Sequence, residues 1–111
     1  MDDSLSLKLA ALADPTRRAI VARLARGEAT VVELHKPFHM SQPAISRHLK
    51  ILEAAGLIEQ DRAGQSRPRR LRIDAFRETG QWFDQLALMW RESFARLDEF
   101  LIEDGEDGSG R

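Results

Sequence analysis

No cysteine occurs among the 111 residues, which excludes disulfides, thiolate metal sites and cysteine redox switches. The absence also fits a reducing cytoplasm better than an oxidising compartment. No apolar run approaches the length needed to cross a bilayer. The opening residues Met1-Asp2-Asp3-Ser4 are acidic and lack the basic and apolar regions of a secretion signal, so a soluble, cytoplasmic protein without a membrane partner is expected. Catalytic patterns are missing too. Ser41, Ser46 and His48 stand without a nucleophile elbow or a carboxylate in a recognisable orienting position. No enzymatic activity, catalytic residue or cofactor is expected. There is no internal repeat.

Net charge is nearly absent at −1, but the total conceals a strong asymmetry. Residues 1–14 hold one Lys against three Asp, residues 15–73 hold twelve Lys or Arg against five acids, and residues 74–111 hold four Arg against ten acids. A basic middle between acidic ends is the pattern of a localised phosphate-facing surface. Hydrophobic residues make up 42% and charged residues 32%, enough for one compact core with a well solvated exterior.

Punctuation along the chain predicts about five helices and one hairpin. Leu5 to Ala13 form a short apolar segment that ends at Asp14-Pro15, where Asp caps a new helix and Pro suits its first turn. That helix carries Ile20, Val21 and Leu24 at helical spacing and stops at Gly27. Thr30-Val31-Val32-Glu33 is a capping box for a third helix, kept short by Pro37. Ser41 caps a fourth, running to about Gly56, with Ile45, Leu49 and Leu52 on a core face and a polar, basic face opposite. Leu57 to Arg62 and Arg67 to Ile73 read as strands joined by Ala63-Gly64-Gln65-Ser66, and Pro68 restricts the second to an edge. From Asp74 to about Glu103, Phe83, Ala87, Trp90, Phe94, Leu97 and Leu101 alternate steps of four and three, a heptad seam. Trp82, Leu86, Met89 and Phe100 add apolar surface beside it, so one side is expected to face its own domain and another a partner. The domain is expected over 1–103, with 104–111 an acidic, Gly-rich disordered tail.

Two short helices, a tight Phe38-His39-Met40 connection and a polar-faced fourth helix make a helix-turn-helix, whose second helix suits the DNA major groove. The hairpin is then a wing crowded with Arg62, Arg67, Arg69, Arg70 and Arg72, suited to phosphate or the minor groove. The fold expected is mainly α, a winged helix-turn-helix with a two-stranded wing. Candidate DNA contacts are Ser41, Gln42, Pro43, Ser46, Arg47 and Lys50 on the fourth helix and Arg67, Arg69 and Arg70 on the wing, with Arg matched to guanine and Gln to adenine. The candidate dimer surface comprises Leu5 and Leu9 with the seam from Phe83 to Leu101. His48 beside Leu49 reads as a half-buried, hydrogen-bonded histidine.

Three stretches carry a family resemblance: Ala11-Leu12-Ala13-Asp14-Pro15-Thr16-Arg17-Arg18, Ser41-Gln42-Pro43-Ala44-Ile45-Ser46-Arg47-His48-Leu49-Lys50, and Glu53-Ala54-Ala55-Gly56-Leu57-Ile58. Together they closely resemble the ArsR family of winged-helix repressors, over roughly residues 5–103. The resemblance implies a homodimer formed through the first and last helices, binding to a double-stranded DNA operator, and repression by exclusion of polymerase. The chain departs from the family's metal sensors. Where arsenic sensors carry Cys-Val-Cys-Asp-Leu-Cys, it has Thr30, Val31, Val32, Glu33, Leu34 and His35, and the last helix has no His for the zinc site. No metal ligand set is expected, since Pro37 also interrupts the four-residue spacing of His35 and His39. Two rival readings are a winged-helix protein-interaction module and a sensor with a non-standard metal or small-molecule site; the effector is unknown.

Overall fold

The computed structural model describes residues 3–62 and 64–109, with side chains described for 4–62 and 64–102. In chain order the elements are α1 (Asp3–Ala11), α2 (Pro15–Leu24), α3 (Val31–His35), α4 (Gln42–Ala54), β1 (Ile58–Gln60), β2 (Arg69–Leu71) and α5 (Ile73–Ser109). The chain divides into two compact units, Met1–Arg77 and Glu78–Arg111. Among the described residues no helix is long and apolar enough to cross a membrane.

Side-chain caps start three helices of the first unit where the sequence predicts them. Asp14 accepts the Arg17 amide hydrogen at 3.0 Å, with Pro15 in the first turn of α2. Thr30 Oγ1 accepts from Glu33 N at 3.2 Å while Glu33 Oε1 accepts from Thr30 N at 2.9 Å, the reciprocal pair of a capping box. Ser41 Oγ accepts from Ala44 N at 3.3 Å at the head of α4. That helix ends in a Schellman motif: Leu57 N donates to Leu52 O at 3.1 Å and Gly56 N to Glu53 O at 2.9 Å. Gly56 lies at φ 78°, where a Cβ is unfavourable.

Two of these caps make the first unit sensitive to acid. The hydrogen bond from the Arg17 amide holds the Asp14 carboxyl below its usual range, and that from the Thr30 amide does the same for Glu33. A carboxyl with a depressed folded-state pKa contributes stability above its ordinary titration range, lost as pH falls through the folded value. The melting midpoint should therefore decline on acidification below about pH 4. In Asp14→Asn, which keeps an acceptor at the cap, the decline should be shallower in melts followed by circular dichroism. Parallel acid limbs for parent and variant would remove Asp14 as a cause.

α4 contacts α1, α2, α3 and β1, so it sits at the centre of the first unit. Its Ile45, Leu49 and Leu52 are fully buried, together with Ile20, Leu34 and Leu57. This is the core face the sequence predicts, and it turns Gln42, Arg47 and Lys50 outward.

The hairpin pairs Ile58 with Leu71, Glu59 with Arg70 and Gln60 with Arg69 in antiparallel register. It is shorter than the expected strands. Asp61 N donates to Pro68 O at 2.8 Å, but Pro68 has no N–H to return the bond, and the ladder stops there. The sheet has two strands, so β2 stands at an edge as expected, and one isolated bridge touches that edge: Arg69 exchanges both backbone bonds with Ala29, at 3.1 and 2.8 Å. Pro68 precedes the strand, which leaves Arg69 free to donate.

α5 is one continuous helix of 37 residues. It passes Glu103, where the sequence reading ends it, because extending an existing helix requires no new nucleus. The expected tail at 104–111 falls on residues whose side chains lie outside the described ones.

Candidate nucleic-acid interface

The helix-turn-helix consists of α3, a turn over 36–40 and α4. His39 N donates to Lys36 O at 2.9 Å and Met40 N to His35 O at 3.0 Å, with His39 in left-handed backbone at φ 54°. His35 therefore ends α3 while His39 occupies the turn, and the two are not successive turns of one helix. Among the described residues no group of three His, Cys, Asp or Glu side chains is placed to hold a metal ion.

The exposed face of α4 carries Gln42, Pro43, Arg47 and Lys50, with Ser46 half-buried beside them and Ser41 exposed at the cap. Gln42 and Ser46 open onto a groove of about 400 Å³ whose other walls are the cap Thr30 with Val31 and Val32 of α3, and Gln65, Ser66, Arg67 and Arg69 of the wing. Recognition helix and wing thus border one concave surface. His48 is half-buried, its Nδ1 3.4 Å from Arg17 Nη1, as expected of a partnered histidine.

The wing arginines divide into two sets. Arg69 pairs with Glu53 at 3.1 Å, its side chain only 13% exposed. Arg70 pairs with Glu59 at 2.9 Å and Arg72 with Asp74 at 2.9 Å, both pairs exposed. Arg62 and Arg67 are exposed and have no ion-pair partner among the described residues. Of the three wing candidates, Arg67 alone has no ion-pair partner among the described residues. Arg69 is engaged within the protein, by Glu53 and by the Arg67 carbonyl, and is the most shielded of the three. The exposed Arg70–Glu59 pair is screened by solvent and holds its partners weakly, whereas the Arg69 pair is shielded.

Sequence reasoning missed the work of Arg17 and Arg18. Arg17 Nε donates to Ala11 O at 2.6 Å and its Nη2 to Ala10 O at 3.3 Å, while Arg18 Nη1 donates to Leu12 O at 2.8 Å and Ala13 O at 3.0 Å. These cations close the carbonyls at and just after the end of α1, where the helix dipole favours positive charge. The signal lay in two arginines immediately after a helix stop, which the basic-middle reading had assigned to a phosphate-facing surface.

Of the candidate dimer residues, Leu5 and Leu9 are half-buried, and Leu7 between them is the more exposed at 53%. Phe83, Ala87, Trp90, Phe94, Leu97 and Leu101 are all exposed. Trp90 and Phe94 stack at 5.2 Å between ring centroids on the same flank of α5.

Comparison with known proteins follows this geometry. Residues 14–60, from the cap of α2 through β1, match the model of a family described as bacterial regulatory protein, arsR family. The HTH-type transcriptional regulator Rv2034 of Mycobacterium tuberculosis is 53% identical over 57 residues, covering 51% of this chain and 53% of the relative. The chain spans about half the length of the curated relatives that it matches. A crystal structure of an ArsR family transcriptional regulator superposes with a TM-score of 0.72 at 39% identity, over 79% of this chain and 97% of the other. A homodimeric winged helix-turn-helix DNA-binding domain from Mycobacterium bovis, solved by NMR, gives a TM-score of 0.62 at 27% identity, over 81% of each chain.

Proposed function

Because this chain belongs to the ArsR family of bacterial regulatory proteins, we propose that it is a homodimeric repressor that binds a specific double-stranded DNA site and occludes it from polymerase. The observation that carries the reading is the groove shared by α4 and the wing. Exposed Gln42 and half-buried Ser46 line it beside exposed Arg67, with Arg47 and Lys50 exposed on the same helix. Gln and Arg supply bidentate readers of base edges, Lys supplies a point charge, and the exposed wing arginines hold phosphate and fix register. Ser41 both caps α4 and contacts phosphate, and exposed Pro43 stands in the first turn beside it. Cysteine-free and without the family's metal ligand sets, the protein does not respond to metals at those sites.

Selection of bound sequences from a random duplex pool tests the proposal: one enriched motif is expected. Failure to enrich any motif would overturn it in favour of a protein-interaction module. The salt response tests the charge assignment. Affinity should fall with log[salt] at a slope of roughly −0.9 per phosphate contact. Arg62→Ala with Arg67→Ala should flatten that slope by up to about two contacts per protomer, whereas Arg70→Ala should change it less. Equal slopes for the parent and the double variant would move the phosphate contacts off the wing tip.

A further inference from the structure

We propose that Glu53, at the end of the recognition helix, is a positioning residue that aims the wing, acting through Arg69 on the backbone that carries the Arg67 guanidinium. The effect on binding rests on the DNA reading above; the structural half stands on geometry alone.

One carboxylate holds both strands of the hairpin to α4. Glu53 Oε1 accepts from Arg69 Nε of β2 at 3.1 Å, and its two oxygens accept from Gln60 Nε2 of β1 at 3.3 and 3.2 Å. Arg69 then donates Nη1 to the carbonyl of Arg67 at 2.8 Å. Arg67 lies at φ 44°, left-handed backbone that a non-glycine residue keeps only when its surroundings enforce it. The bond to its carbonyl is such a constraint. Shielding distinguishes this linkage from the other wing pairs: its side chains are 13% and 23% exposed, against 54% and 43% for Arg70 and Glu59. Water and salt therefore compete with it less.

Two general effects oppose a carboxylate at this place. The C-terminal turn of a helix disfavours negative charge, and the surface is proposed to meet a polyanion. On charge alone, removing Glu53 should tighten DNA binding. A positioning role requires the opposite sign, since the variant frees the wing tip and the aim of Arg67 is lost.

The cysteine-free chain accepts a single nitroxide probe at Ser66→Cys on the wing. In that background E53Q should narrow the spectral line of the probe without DNA; in the unlabelled chain E53Q should weaken binding to the duplex selected with the parent by roughly tenfold at low salt, with a slope lower by about one contact per protomer. The combined variant E53Q with R69Q should bind no more weakly than either alone, because both cut one linkage. Binding by E53Q as tight as the parent's or tighter, or an unchanged line shape, would overturn the proposal. Should E53Q fail to fold, Q60A and R69Q cut the same linkage from the wing side and carry both measurements. A parent that binds no duplex would refute the DNA reading, while the line shape would still decide whether Glu53 holds the wing.

Discussion

Arg47→Ala should lower affinity for the selected duplex by between roughly 30-fold and somewhat more than 10⁴-fold, with fold and dimer intact. The range follows from about 1–3 kcal/mol for each bidentate base contact, counted once in each half of a two-fold complex. Arg47 is exposed on α4 and makes no hydrogen bond or ion pair among the described residues, so its truncation removes no internal contact of that kind. Stability should change by no more than about 0.5 kcal/mol, the usual scale for such surface sites. Binding to unrelated duplexes should persist through the wing, and the informative quantity is the ratio of selected to unrelated affinity. An unchanged ratio would transfer base reading to Gln42 and Lys50. A variant that melts early would show that Arg47 supports the fold.

A second large effect is expected from Trp90→Asp combined with Phe94→Asp. Trp90 is 55% and Phe94 51% exposed, so each presents on the order of 100 Å² of apolar surface, or about 2–3 kcal/mol if covered. In an isologous dimer each ring counts twice, giving roughly 10 kcal/mol. Interfaces realise only part of such a figure. A third of it still weakens the dimer more than 100-fold, before the four introduced carboxylates are considered. Sedimentation at micromolar concentration should give a dimer for the parent and a monomer for the variant, and the monomer should lose most affinity for a duplex with two half-sites. A monomeric parent, or a variant that still dimerises, would remove α5 from the interface.

The sequence was most informative where a single residue type decides local geometry. Asp14, Thr30 with Glu33, and Ser41 start their helices as read, because a cap depends on a side-chain acceptor and the amides two or three residues on. The face of α4 was equally legible, since Ile45, Leu49 and Leu52 leave no other packing direction. Partnerships between distant residues were not legible. Nothing local in Arg69 distinguishes a cation paired with Glu53, sixteen residues earlier, from one available to phosphate. One sign did exist: an acid in the last turn of α4 stands where the helix dipole opposes it, and such a residue calls for a basic neighbour. The contact of Ala29 with β2 was hidden for a related reason, as one isolated bridge leaves no alternating pattern to read.

The two-sidedness of α4 also bears on how such a chain can diverge. Each residue added to a helix rotates everything beyond it by about 100°. One insertion between Ile45 and Leu49 would therefore carry Leu49 and Leu52 out of the core, and the same turn would swing Lys50 off its face. Folding and reading would fail together. The exposed wing tip around Gly64, Gln65 and Ser66 carries no such phase. Descendants of this sequence should accordingly alter their binding preference by exchanging side chains on a recognition helix of fixed length, while changes of length accumulate at the tip of the wing.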